Sequence, residues 1–464
     1  VNDPNALASQ PVPLPRLSGF TTRRALIIIL VVSMAARVAV ALIMGNAVDT
    51  LPGIFDQVSY HTLAVRVLTG HGFTFDREWW PITPAGQPTA HWSYLYTLWL
   101  VAVYAVAGVQ PVAARVLQAL LVGALLPWLV FRLARRVFPA PPGAVEVTAL
   151  LAAAWSAVYG YLAYYAGALM TESFYIVGLV WVLDCTLRLA PGAPPPTAPA
   201  WWRWAELGIA LGVTALLRQV FLPCVPVLLG WLYWQWLRAG GRRVTGGLVR
   251  GTALAGAVCL ALIAPVTAFN YRQFQRFVLL NTNAGYAFFW ANHPIYGDQF
   301  VAVLTSANYT DLIPPELRHL DEAALDNALL QRGLEFVQAD PARYLRLSIS
   351  RIPIYFMFWP TADAGWLSNT VRLLSFGLAL PFMLLGLGVW AVTSRGRRAP
   401  GLLLVLFLAA YSLIHLLSWS LIRYRLPVDA IALVFAGRGA AALLGQWGRA
   451  RGLSSHLPLS PETP

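Results

Sequence analysis

The chain has 464 residues, of which 58% are hydrophobic and only 11% charged, with a mean hydropathy of +0.61. A soluble domain carries roughly 25% charged residues, so an ordinary soluble enzyme, a disordered chain and a coiled coil are excluded. The 19 Trp, 18 Tyr and 21 Phe fit an integral membrane protein that crosses the bilayer many times.

The net charge of +13 rests entirely on arginine, because the chain has no lysine. That removes a P-loop lysine, a Schiff-base lysine and a lysine-bound cofactor. The arginines fall mostly in short gaps between apolar runs, which favours orientation in a membrane over a nucleic-acid partner. Cys185, Cys224 and Cys259 each lie in an apolar stretch, without a CxxC or metal spacing, and read as small core residues. No cleavable signal peptide is expected.

A hydrocarbon core about 30 Å thick needs about 20 apolar residues of helix. The first such run, Leu26 to Met44, follows Arg16, Arg23 and Arg24, so it starts on the cytoplasmic side. A polar, aromatic loop to His91 then lies outside. Tyr94–Val109 is short and rich in Tyr and Trp, and reads as a helix in the outer interface. Val112–Leu133 is the second span, ending at Arg132, Arg135 and Arg136.

Val145–Ala166 goes out and Ser173–Leu189 returns, joined by the Thr171-Glu172 turn. A Pro-rich linker (PGAPPPTAPA) follows inside. Ala205–Leu217 leads out to Arg218, and Phe221–Leu237 returns to a cluster of Arg238, Arg242, Arg243 and Arg250. Gly251–Phe269 goes out again. The long polar segment from Asn270 to about Arg351 contains one helical pattern, Asp321–Ala339, stopped by Asp340-Pro341, and Tyr344–Trp359 reads as another interface helix. Val371–Val392 returns to Arg395, Arg397 and Arg398, Gly401–Ser420 goes out, and Pro427–Leu444 returns to Arg449 and Arg451.

The expected architecture is therefore an all-α polytopic membrane protein of about ten transmembrane helices, with juxtamembrane helices in a large first external loop. Its divisions are a cytoplasmic tail (1–24), a core (25–269) with the first external loop at 45–112, an external loop with short helices (270–360), C-terminal membrane helices (361–446) and a second tail (447–464).

Three external elements meet in this topology: the loop with Asp56, the Thr171-Glu172 turn and the loop after Phe269. Arg115, Arg218, Arg423 and Arg425 lie near the membrane on the same side. Guanidinium forks bind phosphate, and a carboxylate accepts a proton from an attacking hydroxyl. A substrate with a lipid tail and a phosphate head matches such a boundary. Each residue also has a plainer assignment. Taken alone, Asp56 reads as a helix N-cap and Glu172 as a helix-start acid, and Arg423-Tyr424-Arg425 reads as a headgroup anchor as readily as a phosphate site. Arg37 and Arg438, inside spans, either snorkel or pair within the bundle. His61, His71, His91 and His293 form no metal motif, and no G-x-S-x-G or Gly-rich nucleotide motif occurs.

Taken in order, these residues resemble a known family. Asp56 with Tyr60 four residues later precedes a helix that ends at Gly70-His71-Gly72. Arg115 opens the second span, and Thr171-Glu172 and Leu217-Arg218 lie at outer turns. Asn281-Thr282-Asn283-Ala284-Gly285-Tyr286, continuing to Trp290-Ala291-Asn292-His293-Pro294, is similar to an N-x-G…G-N-x-P pattern. Arg423-Tyr424-Arg425-Leu426-Pro427 precedes the last span. From about Leu26 to Leu444 the chain resembles the bacterial GT-C glycosyltransferases. It is most similar to the family-39-like branch of protein O-mannosyltransferases and the lipid A aminoarabinose transferase. Asp56 is followed by Gln57 where mannosyltransferases often carry Asp-Glu. Pro88-Thr89-Ala90-His91-Trp92 stands where the lipid A branch has Glu-Lys-Pro-Pro.

The resemblance implies a GT-C fold and an inverting transfer of a sugar from a polyprenyl-phosphate donor to a lipid, glycan or protein hydroxyl, on the extracytoplasmic face of a bacterial inner membrane. It implies Asp56 and Glu172 as catalytic acids. Tyr60, His91, Arg115, Arg218, Asn283, Asn292, Arg423, Tyr424 and Arg425 are the substrate-binding candidates. No cofactor is required, a divalent metal being the open alternative, and no nucleic-acid partner is expected. A transporter or flippase for a lipid-linked or anionic solute also needs an arginine-lined cavity. It would place ionisable groups near mid-membrane and use both faces. A non-catalytic membrane scaffold is the third reading.

Overall fold

The computed structural model describes residues 18–50, 55–138, 144–191, 200–240, 245–304, 308–362, 364–393 and 399–450. The Pro-rich linker, the Arg242/Arg243 and Arg395/Arg397/Arg398 clusters, and most of both tails lie outside these residues.

The first helix, α1 (Gly19–Met44), starts where Ser18 accepts the N–H of Thr21 at 3.2 Å. Two juxtamembrane helices follow, α2 (Asp56–Leu68) and α3 (Tyr94–Ala107). At 14 residues α3 is about 21 Å long, too short to cross. Its N-cap is Ser93, whose hydroxyl accepts the N–H of Tyr96 at 3.3 Å. Gly70 and Gly72 take φ of +85° and +68°, a turn that only glycine forms without strain. The loop between α2 and α3 carries two isolated β-bridges, Thr74 with Pro88 and Trp79 with Thr83.

The second span is α4 (Pro111–Val137), with Pro111 where its missing N–H costs nothing. The third is broken into α5 (Ala144–Val158) and α6 (Gly160–Gly167), bent by 51°. Then come α7 (Glu172–Arg188), α8 (Ala200–Leu217), a 3₁₀ turn at Gln219–Cys224, α9 (Val225–Gly240) and α10 (Thr245–Phe274). The long segment after α10 holds α11 (Ala284–Asn292), α12 (Glu322–Ala339) and α13 (Pro341–Tyr355). The chain closes with α14 (Trp366–Thr393), α15 (Ala399–Leu417) and α16 (Ile422–Ala450).

Among the described residues, seven helices are by length and composition apolar enough to cross a membrane, or eight if the bent pair is one span. The remaining two of the ten expected spans, α7 and α8, are helical but fall outside that number. The first has 17 residues and contains Asp184; the second has 18 and contains Arg203 and Glu206. Apolar side chains such as Ile28, Ile43, Leu260 and Leu384 face outward, as a hydrocarbon solvent allows.

The ends of α4, α7 and α8 are tied by charge. Asp184, fully buried, sits 2.7 Å from both Arg132 and Arg136 and 3.1 Å from Arg188, which also pairs with Glu206 at 2.5 Å. Asp184 lies twelve residues along α7 from Glu172, about 18 Å away along the axis. This cluster and Glu172 therefore occupy opposite ends of α7.

Candidate active site

Two of the helices that begin with an acid bring their first turns together. Asp56 is the first residue of α2 and Glu172 the first of α7. Neither is a cap: Phe55 and Thr171 hold the cap positions, and neither makes a side-chain capping bond. Asp56 is thus not the N-cap considered from the sequence. Each carboxylate gains from its helix dipole, but their bonds run to arginine.

Arg423, in the first turn of α16, places Nη1 2.7 Å from Asp56 Oδ2 and 3.4 Å from Glu172 Oε1. Arg218, between α8 and the 3₁₀ turn, donates Nη2 to Glu172 Oε1 at 2.8 Å and Nε to Thr171 Oγ1 at 2.9 Å. The order Arg218–Glu172–Arg423–Asp56 alternates in charge. Tyr424 closes it: its hydroxyl is 3.2 Å from Arg423 Nη2, and both guanidiniums lie over its ring, at 5.0 and 5.6 Å. Glu172 Oε2 and Arg423 Nε are buried and without a hydrogen-bond partner. Burial pushes the Asp56 carboxyl up, but Arg423 and Arg218 outweigh it and hold it below its ordinary value.

An aromatic path leads outward from Asp56. Tyr60, one turn along α2, is buried; its hydroxyl accepts the Ser93 N–H at 3.3 Å and its ring meets Trp92 edge-on at 5.5 Å. Trp92 meets His91, which also meets Trp80 and Tyr286. His91 Nδ1 faces the Thr282 carbonyl at 3.0 Å, and burial lowers its pKa, so the ring is neutral. Asn283 donates to the His91 carbonyl and accepts from Gln219, the neighbour of Arg218, each at 3.4 Å.

The other candidates are not brought to the carboxylates. Arg115 donates to the carbonyls of Met44 and Gly45 at 3.1 and 2.6 Å and to Gln57 Oε1 at 3.1 Å. It thus ties the end of α1 to α2. Gln57, at the position where mannosyltransferases often carry an acid, also donates to the Asp49 carbonyl. Arg425 turns away from Arg423 and pairs with Asp429 at 2.9 Å. Asn292 accepts from Arg351 at 2.9 Å, inside the long segment after α10.

Sequence reasoning missed three ionisable residues here, of which Glu322 and Arg351 are buried. Glu322 accepts from Thr83 Oγ1 at 2.7 Å, Ala90 N at 2.8 Å and Thr282 Oγ1 at 2.5 Å, joining the first external loop to the late one. Arg351 joins α11 to α13 and α15 through the carbonyls of Ala291 and Leu416. Asp326 accepts the N–H groups of Gly285 and Tyr286 at 2.8 and 3.1 Å, yet burial raises its pKa to about 7. In sequence, charged residues on amphipathic helices such as α12 and α13 look alike, so only the tertiary partners single these out.

Among the described residues no three His, Cys, Asp or Glu side chains gather as a metal site. The two site acids instead share one guanidinium nitrogen. An apolar groove of about 550 Å³ runs along the outer end of α10, lined by Leu260, Ile263, Tyr271, Phe277 and Leu279. Two residues beyond Leu279, the Asn281 carbonyl accepts from Gln219 at 2.9 Å.

No protein-family model and no curated protein matches the chain. Solved structures do. The oligosaccharyltransferase AglB of Archaeoglobus fulgidus in its apo form aligns with a TM-score of 0.60 and 16% identity, over 96% of this chain and 53% of that one. The same enzyme with an inhibitory peptide and a dolichol-phosphate aligns at 0.57 with 16% identity, over 96% and 52%. ArnT of Cupriavidus metallidurans bound to undecaprenyl phosphate aligns at 0.38 with 15% identity, over 94% and 81%. The chain spans about half the length of AglB. Its architecture is the GT-C fold, the membrane fold of AglB.

Proposed function

We propose that the chain is a GT-C glycosyltransferase that moves a sugar from a polyprenyl-phosphate donor to a hydroxyl acceptor. The observation that carries this is the meeting of Asp56 and Glu172 on Arg423, beside Arg218, at one end of the bundle. The acceptor oxygen attacks the anomeric carbon from the face opposite the phosphate. The bond from that carbon to the phosphate oxygen breaks, and the configuration inverts. Asp56 takes the hydroxyl proton. The polyprenyl phosphate leaves with its charge held by Arg218 and Arg423. Arg423 Nη1 supplies the counter-charge between the two acids. The prenyl chain takes the groove along α10. The site faces the extracytoplasmic side of a bacterial inner membrane.

The resting ion pairs suit this order of events. Arg423 holds Asp56 as a weak base. A donor phosphate that recruits Arg423 releases that hold, and Asp56 becomes more basic where attack occurs. The transporter reading draws support from the ionisable groups inside the bundle, Arg37 and Asp429. Both, however, are bound to fixed partners: Arg37 to Ser33 and the carbonyls of Ser156 and Ala157, Asp429 to Arg425 and Tyr159.

The test is release of polyprenyl phosphate from a labelled sugar donor by the purified protein. Wild type is expected to release it, and Asp56→Asn to lose at least about 10²-fold of the rate, the scale of a lost general base, while remaining folded in detergent. Near-normal turnover of Asp56→Asn would remove Asp56 from the mechanism.

A further inference from the structure

The third span is interrupted where an unbroken helix would have satisfied every backbone group. In hydrocarbon such a break needs substitute partners. They are present on each side of it. Arg37, inside α1, donates to the carbonyls of Ser156 and Ala157 at 2.8 and 2.9 Å. Ser375, in the π-helical turn Leu373–Gly377 of α14, accepts the N–H of Tyr161 at 3.3 Å. A Cβ on Gly160 would lie 3.0 Å from that hydroxyl, so the break also depends on close approach.

Tyr159 sits at the break. Its phenol donates to Asp429 Oδ2 at 2.7 Å, and Asp429 Oδ1 accepts Arg425 Nε at 2.9 Å. Arg425 Nη1 then donates to the carbonyls of Tyr355 and Met357 at 2.8 and 3.2 Å. Asp429 and Arg425 are both fully buried. An ion pair buried this way is poor value for stability, since an apolar pair of similar volume is often at least as stable. What the triad does accomplish is registration. Arg425 and Asp429 belong to α16, whose first turn carries Arg423. Tyr159 belongs to the break from which α6 runs eight residues toward Thr171-Glu172.

We infer that Tyr159, Asp429 and Arg425 form a positioning unit within the membrane. It fixes α6 against α16 so that Glu172 and Arg423 meet. The kinetic part of this assignment rests on the transferase reading; the structural part does not.

Two variants test it, each with two readouts. Tyr159→Phe removes one hydroxyl at constant volume. Arg425→Met with Asp429→Leu removes the pair together and strands no charge. Tyr159→Phe is expected to keep a detergent melting temperature near wild type, and the double variant to melt somewhat lower, because it frees the carbonyls of Tyr355 and Met357. Both are expected to exchange the amides of 160–172 faster, and to lose turnover about tenfold or more, as misplaced reacting groups do. Affinity for a polyprenyl phosphate should stay within about twofold, because Arg218 and Arg423 remain. Restoring the pair with Asp429→Glu alone should retain more turnover than the double variant. Unchanged exchange in both variants overturns the inference whether or not the chain is a transferase. Faster exchange with wild-type turnover overturns it too, since a purely structural unit gives that result. If the double variant fails to fold, Tyr159→Phe decides alone.

Discussion

At the scale of residues, one nitrogen of Arg423 lies between two carboxylates that are 116 positions apart in sequence and come from different helix starts. A charge-assisted bond to phosphate contributes about 1.5–3 kcal/mol. Arg423→Gln should therefore weaken polyprenyl-phosphate binding by roughly 10- to 100-fold in a titration of the purified protein; unchanged affinity would return Arg423 to a headgroup anchor. The pH profile gives a separate prediction. In the free protein Asp56 is held below its ordinary value, so the acidic limb of kcat/KM should lie below the usual carboxylate range. Once a donor phosphate draws Arg423 away, the base is stronger, so the acidic limb of kcat should lie at higher pH than that of kcat/KM. Coincident limbs would show that Arg423 never leaves Asp56. Asp56, Glu172, Arg218 and Arg423 were legible in the sequence because ionisable residues at span ends are few and topology places them on one side. Arg115 and Arg425 looked the same by that criterion. They separate from the group only through partners the sequence does not reveal, the carbonyls of Met44 and Gly45 in one case and Asp429 in the other.

At the scale of elements, the short run Tyr94–Val109 was legible as non-spanning because a second crossing there would have put Arg132, Arg135 and Arg136 on the disfavoured side. The break in the third span was not legible. After Glu146 the run to Ala166 carries no charge, and the partners of its break, Arg37 and Ser375, come from the first span and α14. Arg37→Met should lower stability by about 1–3 kcal/mol, since it strands two carbonyls in the bundle; a melting temperature equal to wild type would show that water or another donor reaches them. The helix pair α11 and α12 carries a pH dependence. Asp326 has a pKa raised to about 7, against about 3.9 for an unperturbed Asp. A carboxyl raised on folding contributes stability that is complete below the unfolded value and is lost as pH rises through the folded one. Amide exchange in 284–292 should therefore quicken between about pH 4 and about pH 7, beyond its intrinsic pH dependence. Asp326→Asn, which keeps the acceptor for Gly285 and Tyr286, should flatten that change; an identical profile in the variant would assign it to another group.

At the scale of the whole molecule, the bundle has two charged ends of different make-up. One gathers two acids, two arginines and a tyrosine beside an aromatic loop and an apolar groove. The other gathers Arg132, Arg136 and Arg188 around Asp184. Positive charge alone would let a lipid phosphate bind at either. Among the described residues, the first end is where two carboxylates share one guanidinium nitrogen, Arg423 Nη1. A structure of the protein in lipid with a bound polyprenyl phosphate separates the two directly. The phosphate is expected within hydrogen-bond reach of Arg218 and Arg423, with Asp56 Oδ2 no longer paired to Arg423. A phosphate found against Arg132, Arg136 and Arg188 instead, with the Asp56–Arg423 pair intact, would contradict the account.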